Sequence, residues 1–132
     1  MSPYFRPLRR LRIYQAVGAL LVVALIWLSL APLGAAPDFP SSDKVGHVLA
    51  YFGLTLWFTQ IIRRGKPLLL CGAALITLGI TLEWAQGFTA YRYTEAADAV
   101  ANTLGVALGA LAGLSPLGNV LARLEHGRTP PL

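Results

Sequence analysis

The sequence predicts an all-α membrane protein: a four-helix transmembrane bundle with both termini in the cytoplasm. Hydrophobic residues make up 55% of the 132 residues and charged residues only 13%, whereas about a quarter of the residues are charged in ordinary soluble domains. A soluble domain of this size needs more polar groups to cover its surface. Apolar stretches long enough to cross a membrane recur four times. We therefore interpret residues 1–132 as one membrane domain.

The four predicted helices follow from the roughly 20 apolar residues that a helix needs to cross the hydrocarbon core. They cover about 13–31, 45–62, 68–88 and 96–114, separated by connectors rich in Pro, Gly or charge. The first follows a basic start, but it exceeds the ~7–15-residue apolar core of a cleaved signal peptide, so we interpret it as a retained helix. Residues 115–132 are expected to form a cytoplasmic tail, and its end, LEHGRTPPL, is expected to be disordered.

Basic residues are distributed unevenly among the connectors, which predicts the orientation of the bundle. Short cytoplasmic loops collect Lys and Arg. Of the 11 Lys and Arg, only Lys44 and Arg92 lie in the first and third connectors. The other nine lie before the first helix, in the second connector or in the tail: Arg6, Arg9, Arg10, Arg12, Arg63, Arg64, Lys66, Arg123 and Arg128. The first and third connectors are therefore predicted to lie outside. These basic residues are not interleaved with base-stacking aromatics, so no nucleic-acid partner is expected.

Strongly polar residues interrupt the last three helices at the ends that this topology places outside. A carboxylate in the hydrocarbon core costs about 2.5–3.5 kcal/mol on insertion scales, so these side chains are expected to face one another inside the bundle. We expect Glu83 or Asp98 to pair with Arg92. The candidate ligand-binding residues are Asp43, Lys44, His47, Tyr51, Glu83, Gln86, Arg92, Asp98 and Asn102.

Glycines share a helix face with two of these polar residues. At about 100° per residue, Asp98, Asn102, Gly105 and Gly109 fall within a sector of about 60°. Glycine lets helices approach closely, so this face should contact protein and not lipid. Gly105, Gly109 and Gly113 are thus predicted to pack helices together. Packing within one chain is preferred, although the same pattern leaves a homodimer open.

The polar positions, taken together, resemble the VanZ-like family of small bacterial membrane proteins. The similarity runs from about Asp43 to Gly113, through DKVGHVLAY and EWAQGFTAYRYTEAADAVANTLGVALG. The family often has a proline before the loop arginine, where this chain has Ala90 and Tyr91. The resemblance implies a multi-pass protein of the bacterial cytoplasmic (inner) membrane whose partners are membrane lipids, with lipid-linked wall intermediates as the expected ligand class. The name-giving member is linked to low-level resistance to the glycopeptide teicoplanin.

Three functions remain open. The site binds an anionic envelope lipid or wall-precursor headgroup through Lys44 and Arg92, or it is an enzyme site, or its residues only hold the helices together. An enzyme would draw acid–base or metal help from Asp43, His47, Glu83 and Asp98. The sequence has no HExxH motif, nucleophile elbow or phosphate loop, so no catalytic residue is assigned and neither a cofactor nor a metal is expected. A transporter is disfavoured because four short helices offer no midplane site between repeats.

Overall fold

The computed structural model describes residues 2–32, 42–91 and 93–127, with the backbone alone at Ser42 and Asp43. This part of the chain is helical and contains no β-strand. Its helices are α1 (Leu11–Leu30), α2 (Ser42–Ile61), α3 (Lys66–Gln86), α4 (Ala96–Leu114) and α5 (Val120–His126), with a 3-10 turn at Pro116–Asn119. By length and composition, α1, α3 and α4 can each cross a membrane. The all-helical prediction is therefore confirmed for these residues, and the bounds of each predicted helix match those of one of α1 to α4 within a few residues.

Helix α2 contacts the three other long helices, and its most extensive contact is with α4. Its buried side chains include Thr55, Thr59 and Gln60. A helix sheltered by its neighbours can carry more polar residues than one that faces lipid. This position explains why α2 is less apolar than α1, α3 and α4.

Helix α4 approaches α2 closely because glycines line the face between them. A Cβ at Gly105 would lie 2.5 Å from the Val48 carbonyl oxygen, and one at Gly109 would lie 2.7 Å from the Phe52 carbonyl oxygen. A Cβ at Gly113 would overlap the side chain of Thr59. All three predicted packing glycines therefore lie against α2 of the same chain.

Large apolar side chains cover the outward faces of α1, α3 and α4. Soluble monomers rarely expose continuous apolar surface of this extent, whereas helices in a bilayer expose it to lipid tails. The exposed residues include Ile13, Leu20, Val23, Trp27, Leu69, Leu70, Ile80, Trp84, Val100, Leu104, Leu108 and Leu111. This surface suits contact with hydrocarbon.

The N-terminal segment folds back beneath the end of α2. The Arg6 N–H donates to the Ile61 carbonyl at 2.9 Å, and the Arg63 N–H donates to the Tyr4 carbonyl at 2.9 Å. Leu8 packs with Ile61 and with Ala122 of α5 in a small buried cluster. The segment thus joins α2 to the residues that follow α4.

The expected disorder of the tail is wrong for Leu124, Glu125 and His126, which form the end of α5. The helix is held because Ala122 is buried and because the Glu125 carboxylate accepts hydrogen bonds from two backbone N–H groups. The donors are Arg9 at 2.6 Å and Arg10 at 2.9 Å. Residues 128–132 lie outside the described part of the chain.

Candidate functional site

Four polar residues lie together where α2 begins, α3 ends and α4 begins. His47 is in the second turn of α2, Glu83 is in the last turn of α3, and Asp98 and Asn102 are in the first two turns of α4. Because α3 and α4 are joined by a short connector, the end of one helix lies beside the start of the other. We call His47, Glu83, Asp98 and Asn102 the polar cluster.

The imidazole of His47 links α2 to α4. Its Nδ1 lies 2.7 Å from Asn102 Oδ1, and its Nε2 lies 3.7 Å from Asp98 Oδ2. An amide oxygen only accepts hydrogen bonds, so Nδ1 carries the proton and donates to Asn102. Nε2 is thereby directed at a carboxylate. Three potential ligand atoms, one each from His47, Glu83 and Asp98, lie within 4.8 Å of one another. Three helices therefore contribute groups that can bind a cation.

The carboxylates of the polar cluster are buried and only partly satisfied. Glu83 is 4% exposed and Asp98 is 6% exposed. Glu83 Oε1 accepts a hydrogen bond from the Glu95 N–H at 2.8 Å, but Glu83 Oε2 and Asp98 Oδ1 are buried without a hydrogen bond. An unsatisfied buried polar atom costs about 1–3 kcal/mol, and a charged one costs more. A bound cation or hydrogen-bond donor would remove that cost.

Lys44 lies at the exposed rim of the polar cluster. Its Nζ is 2.8 Å from Glu95 Oε2 and 3.4 Å from Asp98 Oδ1. Its ammonium group therefore offsets part of the Asp98 charge without forming a well-aligned hydrogen bond to Oδ1. The Lys44 and Glu95 side chains are 36% and 51% exposed, so their ion pair adds at most about 1 kcal/mol of stability.

Tyr51 borders the polar cluster one turn further along α2. Its side chain is 2% exposed, and its hydroxyl has no hydrogen-bond partner. Tyr51 and Asn102 both pack over Gly79, where a Cβ would lie 3.3 Å from Tyr51 Cε1 and 3.2 Å from Asn102 Cβ. The hydroxyl is also within electrostatic range of Glu83. It therefore adds a further unsatisfied group beside the carboxylates.

Gln86, a predicted site residue, lies against α1 and not in the polar cluster. It is buried, and its Nε2 donates to the Ser29 carbonyl at 2.7 Å. The Tyr91 hydroxyl donates to the neighbouring Leu30 carbonyl at 2.6 Å. The last carbonyls of a helix lack intrahelical partners, so these two side chains satisfy the end of α1.

Two predicted site residues fall outside the described structure: Arg92, and Asp43 apart from its backbone. The pairing of Arg92 with Glu83 or Asp98 therefore stays a prediction. Sequence reasoning missed Glu95, which bonds to Glu83 through its backbone and to Lys44 through its carboxylate. Its place immediately before α4 was a usable signal, because acidic residues favour helix N-termini.

The fold and the polar cluster together define a class: a helical protein of membrane-spanning composition with a buried, carboxylate-rich site at one end of its bundle. The chain is 34% identical over 105 residues to the uncharacterized protein C11E3.10 of Schizosaccharomyces pombe, a match that covers 75% of this chain. The match spans 63% of that relative's length. No protein-family model matches the chain, and no solved structure matches it.

Proposed function

We propose that this chain is a VanZ-like, multi-pass protein of the bacterial cytoplasmic membrane, in which α1 to α4 all cross the bilayer and both termini are cytoplasmic. At 20 residues, α2 is as long as α1, and its neighbours shelter its polar side chains. The basic residues Arg63, Arg64 and Lys66 lie between α2 and α3 or at the start of α3, at the end of the bundle opposite the polar cluster. The positive-inside rule then assigns the polar cluster to the outer leaflet.

The proposed function is to bind the phosphate-bearing headgroup of an anionic envelope lipid at the polar cluster. The observation that carries it is the Lys44 ammonium group at the partly exposed rim of the polar cluster, 2.8 Å from Glu95 Oε2 and 3.4 Å from Asp98 Oδ1. Below that rim the Tyr51 hydroxyl, Glu83 Oε2 and Asp98 Oδ1 are buried without a hydrogen bond, and the two carboxylate oxygens can accept one from a hydroxyl of the headgroup. Residues that only hold helices together are expected to satisfy one another, as His47 and Asn102 do. The unsatisfied atoms favour a ligand over a purely structural role.

Lys44 supplies the contact for the headgroup at the rim. Its ammonium group is partly exposed and is oriented by Glu95 and Asp98, so an arriving phosphate can share its donors. Lipid-linked wall intermediates carry phosphate headgroups of this chemistry. A link to teicoplanin tolerance would follow if the chain binds those intermediates.

Binding of a polyprenyl phosphate to the detergent-purified full chain, measured by native mass spectrometry, tests this function. The uncharged polyprenol serves as the control lipid. Loss of a charge-assisted contact is worth about 1.5–3 kcal/mol, so Lys44→Gln should weaken phosphate binding roughly tenfold to a hundredfold. Lys66→Gln, at the opposite end of the bundle, should leave it unchanged. Equal binding of the two lipids, or equal effects of the two substitutions, would contradict the proposal.

Labelling in intact cells with a membrane-impermeant maleimide tests the proposed topology. Cys71 is the single cysteine, so Cys71→Ser gives a background for introducing one reactive thiol at a time. Tyr93 is 86% exposed in the α3–α4 connector, and Arg123 is exposed on α5. Tyr93→Cys should react in intact cells, and Arg123→Cys only after lysis. The reverse pattern would invert the topology.

A further inference from the structure

We infer that the polar cluster binds one divalent transition-metal ion, held by His47, Glu83 and Asp98. Their ligand atoms lie within 4.8 Å of one another, and His47 Nε2 is 3.7 Å from Asp98 Oδ2. Bonds of about 2.0–2.2 Å in a tetrahedral zinc site put ligand atoms roughly 3.3–3.6 Å apart. The His47–Asp98 pair already has nearly that spacing. Side-chain rotations that move the ligand atoms by about 1 Å bring the Glu83 carboxylate to the same spacing.

The orientation of His47 is that of a metal ligand. Its Nδ1–H donates to Asn102, so a neutral ring points the lone pair of Nε2 at the Asp98 carboxylate. Two acceptors then face each other unless a cation lies between them, either a proton on Nε2, which makes the pair a salt bridge, or a metal ion. Metal-bound histidines typically donate their other ring N–H to a supporting acceptor. Asn102, which is 2% exposed, fills that supporting role here.

The charges of the polar cluster also call for a cation. Glu83 and Asp98 are two carboxylates removed from water, and the Lys44 ammonium on the rim is shared between Asp98 and Glu95. Two neighbouring buried carboxylates repel each other when both are ionised. A divalent ion with two carboxylates and a neutral imidazole forms a set with no net charge. Glu83 Oε2, which lacks a hydrogen bond, and Asp98 Oδ2, which faces His47 Nε2, are available as ligands.

The mixed ligand set favours Zn²⁺ or Mn²⁺. Mg²⁺ and Ca²⁺ prefer oxygen ligands alone, whereas imidazole suits transition metals. Three protein ligands leave a further coordination position for water or for an oxygen of a phosphate. The inference goes beyond the proposed function, because the ion binds whether or not a headgroup follows.

Equilibrium dialysis of the full chain tests the inference. The protein is purified in detergent without a histidine tag, stripped with a chelator, and dialysed against Zn²⁺ or Mn²⁺, with bound metal counted by mass spectrometry. We expect one ion per chain. His47→Gln and Asp98→Asn should each weaken binding at least ~100-fold, and Asn102→Ala about 10–100-fold. His126→Gln changes the second histidine of the chain, which lies on α5, and this variant should bind the metal as the wild type does.

A wild-type chain that retains no more Zn²⁺ or Mn²⁺ than Asp98→Asn would overturn the inference, as would equal loss in His126→Gln. If the site variants do not fold, Co²⁺ added to the stripped wild type decides, because a tetrahedral site gives intense d–d absorption and an empty one gives none. Repeating the polyprenyl phosphate measurement on stripped protein separates the two proposals. If the chain binds the metal but not the polyprenyl phosphate, only the headgroup proposal fails. If it binds the polyprenyl phosphate but not the metal, only the metal site fails.

Discussion

Replacing Gly109 with Ala tests whether the glycines of α4, which have no side chains, set the spacing of α2 and α4. The new Cβ would lie 2.7 Å from both the Phe52 carbonyl oxygen and Thr55 Cβ. Favourable non-bonded contacts are about 3.5–4.0 Å, so the helices must separate by roughly 1 Å here. Overpacking of this kind costs about 1–3 kcal/mol, and the helical preference of Ala over Gly returns about 0.5–1 kcal/mol. We expect a net loss of about 1 kcal/mol, within a range of roughly 0–2.5 kcal/mol.

Gly72 provides the matched control on α3. A Cβ there would lie 3.8 Å from Val106 Cγ1, which is an ordinary contact, so Gly72→Ala should be neutral or stabilising by up to about 1 kcal/mol. Unfolding of both variants by SDS in mixed micelles, followed by circular dichroism, gives the comparison. If Gly109→Ala is as stable as Gly72→Ala, the reasoning about close approach fails.

Three further predictions concern contacts away from this interface. Leu8→Ala should lower the free energy of unfolding by about 2–3 kcal/mol and speed hydrogen exchange in the N-terminal segment, because Leu8 is buried against Ile61. The control variant Leu124→Ala, at a site 76% exposed, should change the free energy of unfolding by less than about 0.5 kcal/mol. Gln86→Leu leaves the Ser29 carbonyl without its donor and should cost about 1–2 kcal/mol, measured by SDS unfolding. Desolvation by itself would raise the pKa of Glu125, but hydrogen bonds from the N–H groups of Arg9 and Arg10, together with the Tyr14 hydroxyl and the nearby His126, outweigh it and lower that pKa. The stability from this contact is therefore complete above the unfolded pKa of about 4.3 and is lost as the pH falls through the lower folded pKa. In the wild type, proteolysis of the N-terminal segment should rise over that acidic range. In Glu125→Gln, the rate of proteolysis should show no such pH dependence.

The helices were predictable because the thickness of a bilayer fixes how long an apolar run must be. The convergence of His47, Asp98 and Asn102 followed from helical periodicity combined with antiparallel order. The same argument could not place Gln86. It lies three residues after Glu83, so the two side chains point about 60° apart around α3, and this is enough for one to face α4 while the other faces α1.

The folding of the two chain ends onto each other could not be predicted from local sequence. The contacts join residues more than a hundred positions apart, such as Arg6, whose guanidinium donates to the Gly118 carbonyl and to Asn119 Oδ1, each at 2.9 Å. Neither end has a long periodic apolar stretch, so its composition alone resembles a disordered tail. The order comes from partners that only the completed bundle supplies.

Buried polar side chains at the two ends of the bundle differ in whether they have hydrogen-bond partners, and this difference supports a ligand at the polar cluster. At the basic end, Gln60 Nε2 reaches the Leu117 carbonyl at 2.7 Å, and Arg63 Nε reaches the Phe5 carbonyl at 2.9 Å. Four buried side-chain atoms lack a hydrogen bond among the residues described; three are on Tyr51, Glu83 and Asp98, and the fourth, on Thr55, lies midway along α2. The same chain therefore finds hydrogen-bond partners for its polar side chains at one end. At the other end Glu83 Oε2 and Asp98 Oδ1 have no hydrogen bond, although the Lys44 ammonium lies 3.4 Å from Asp98 Oδ1. Because burying such atoms costs free energy, their retention beside a correctly oriented imidazole is best explained by a ligand that completes the site.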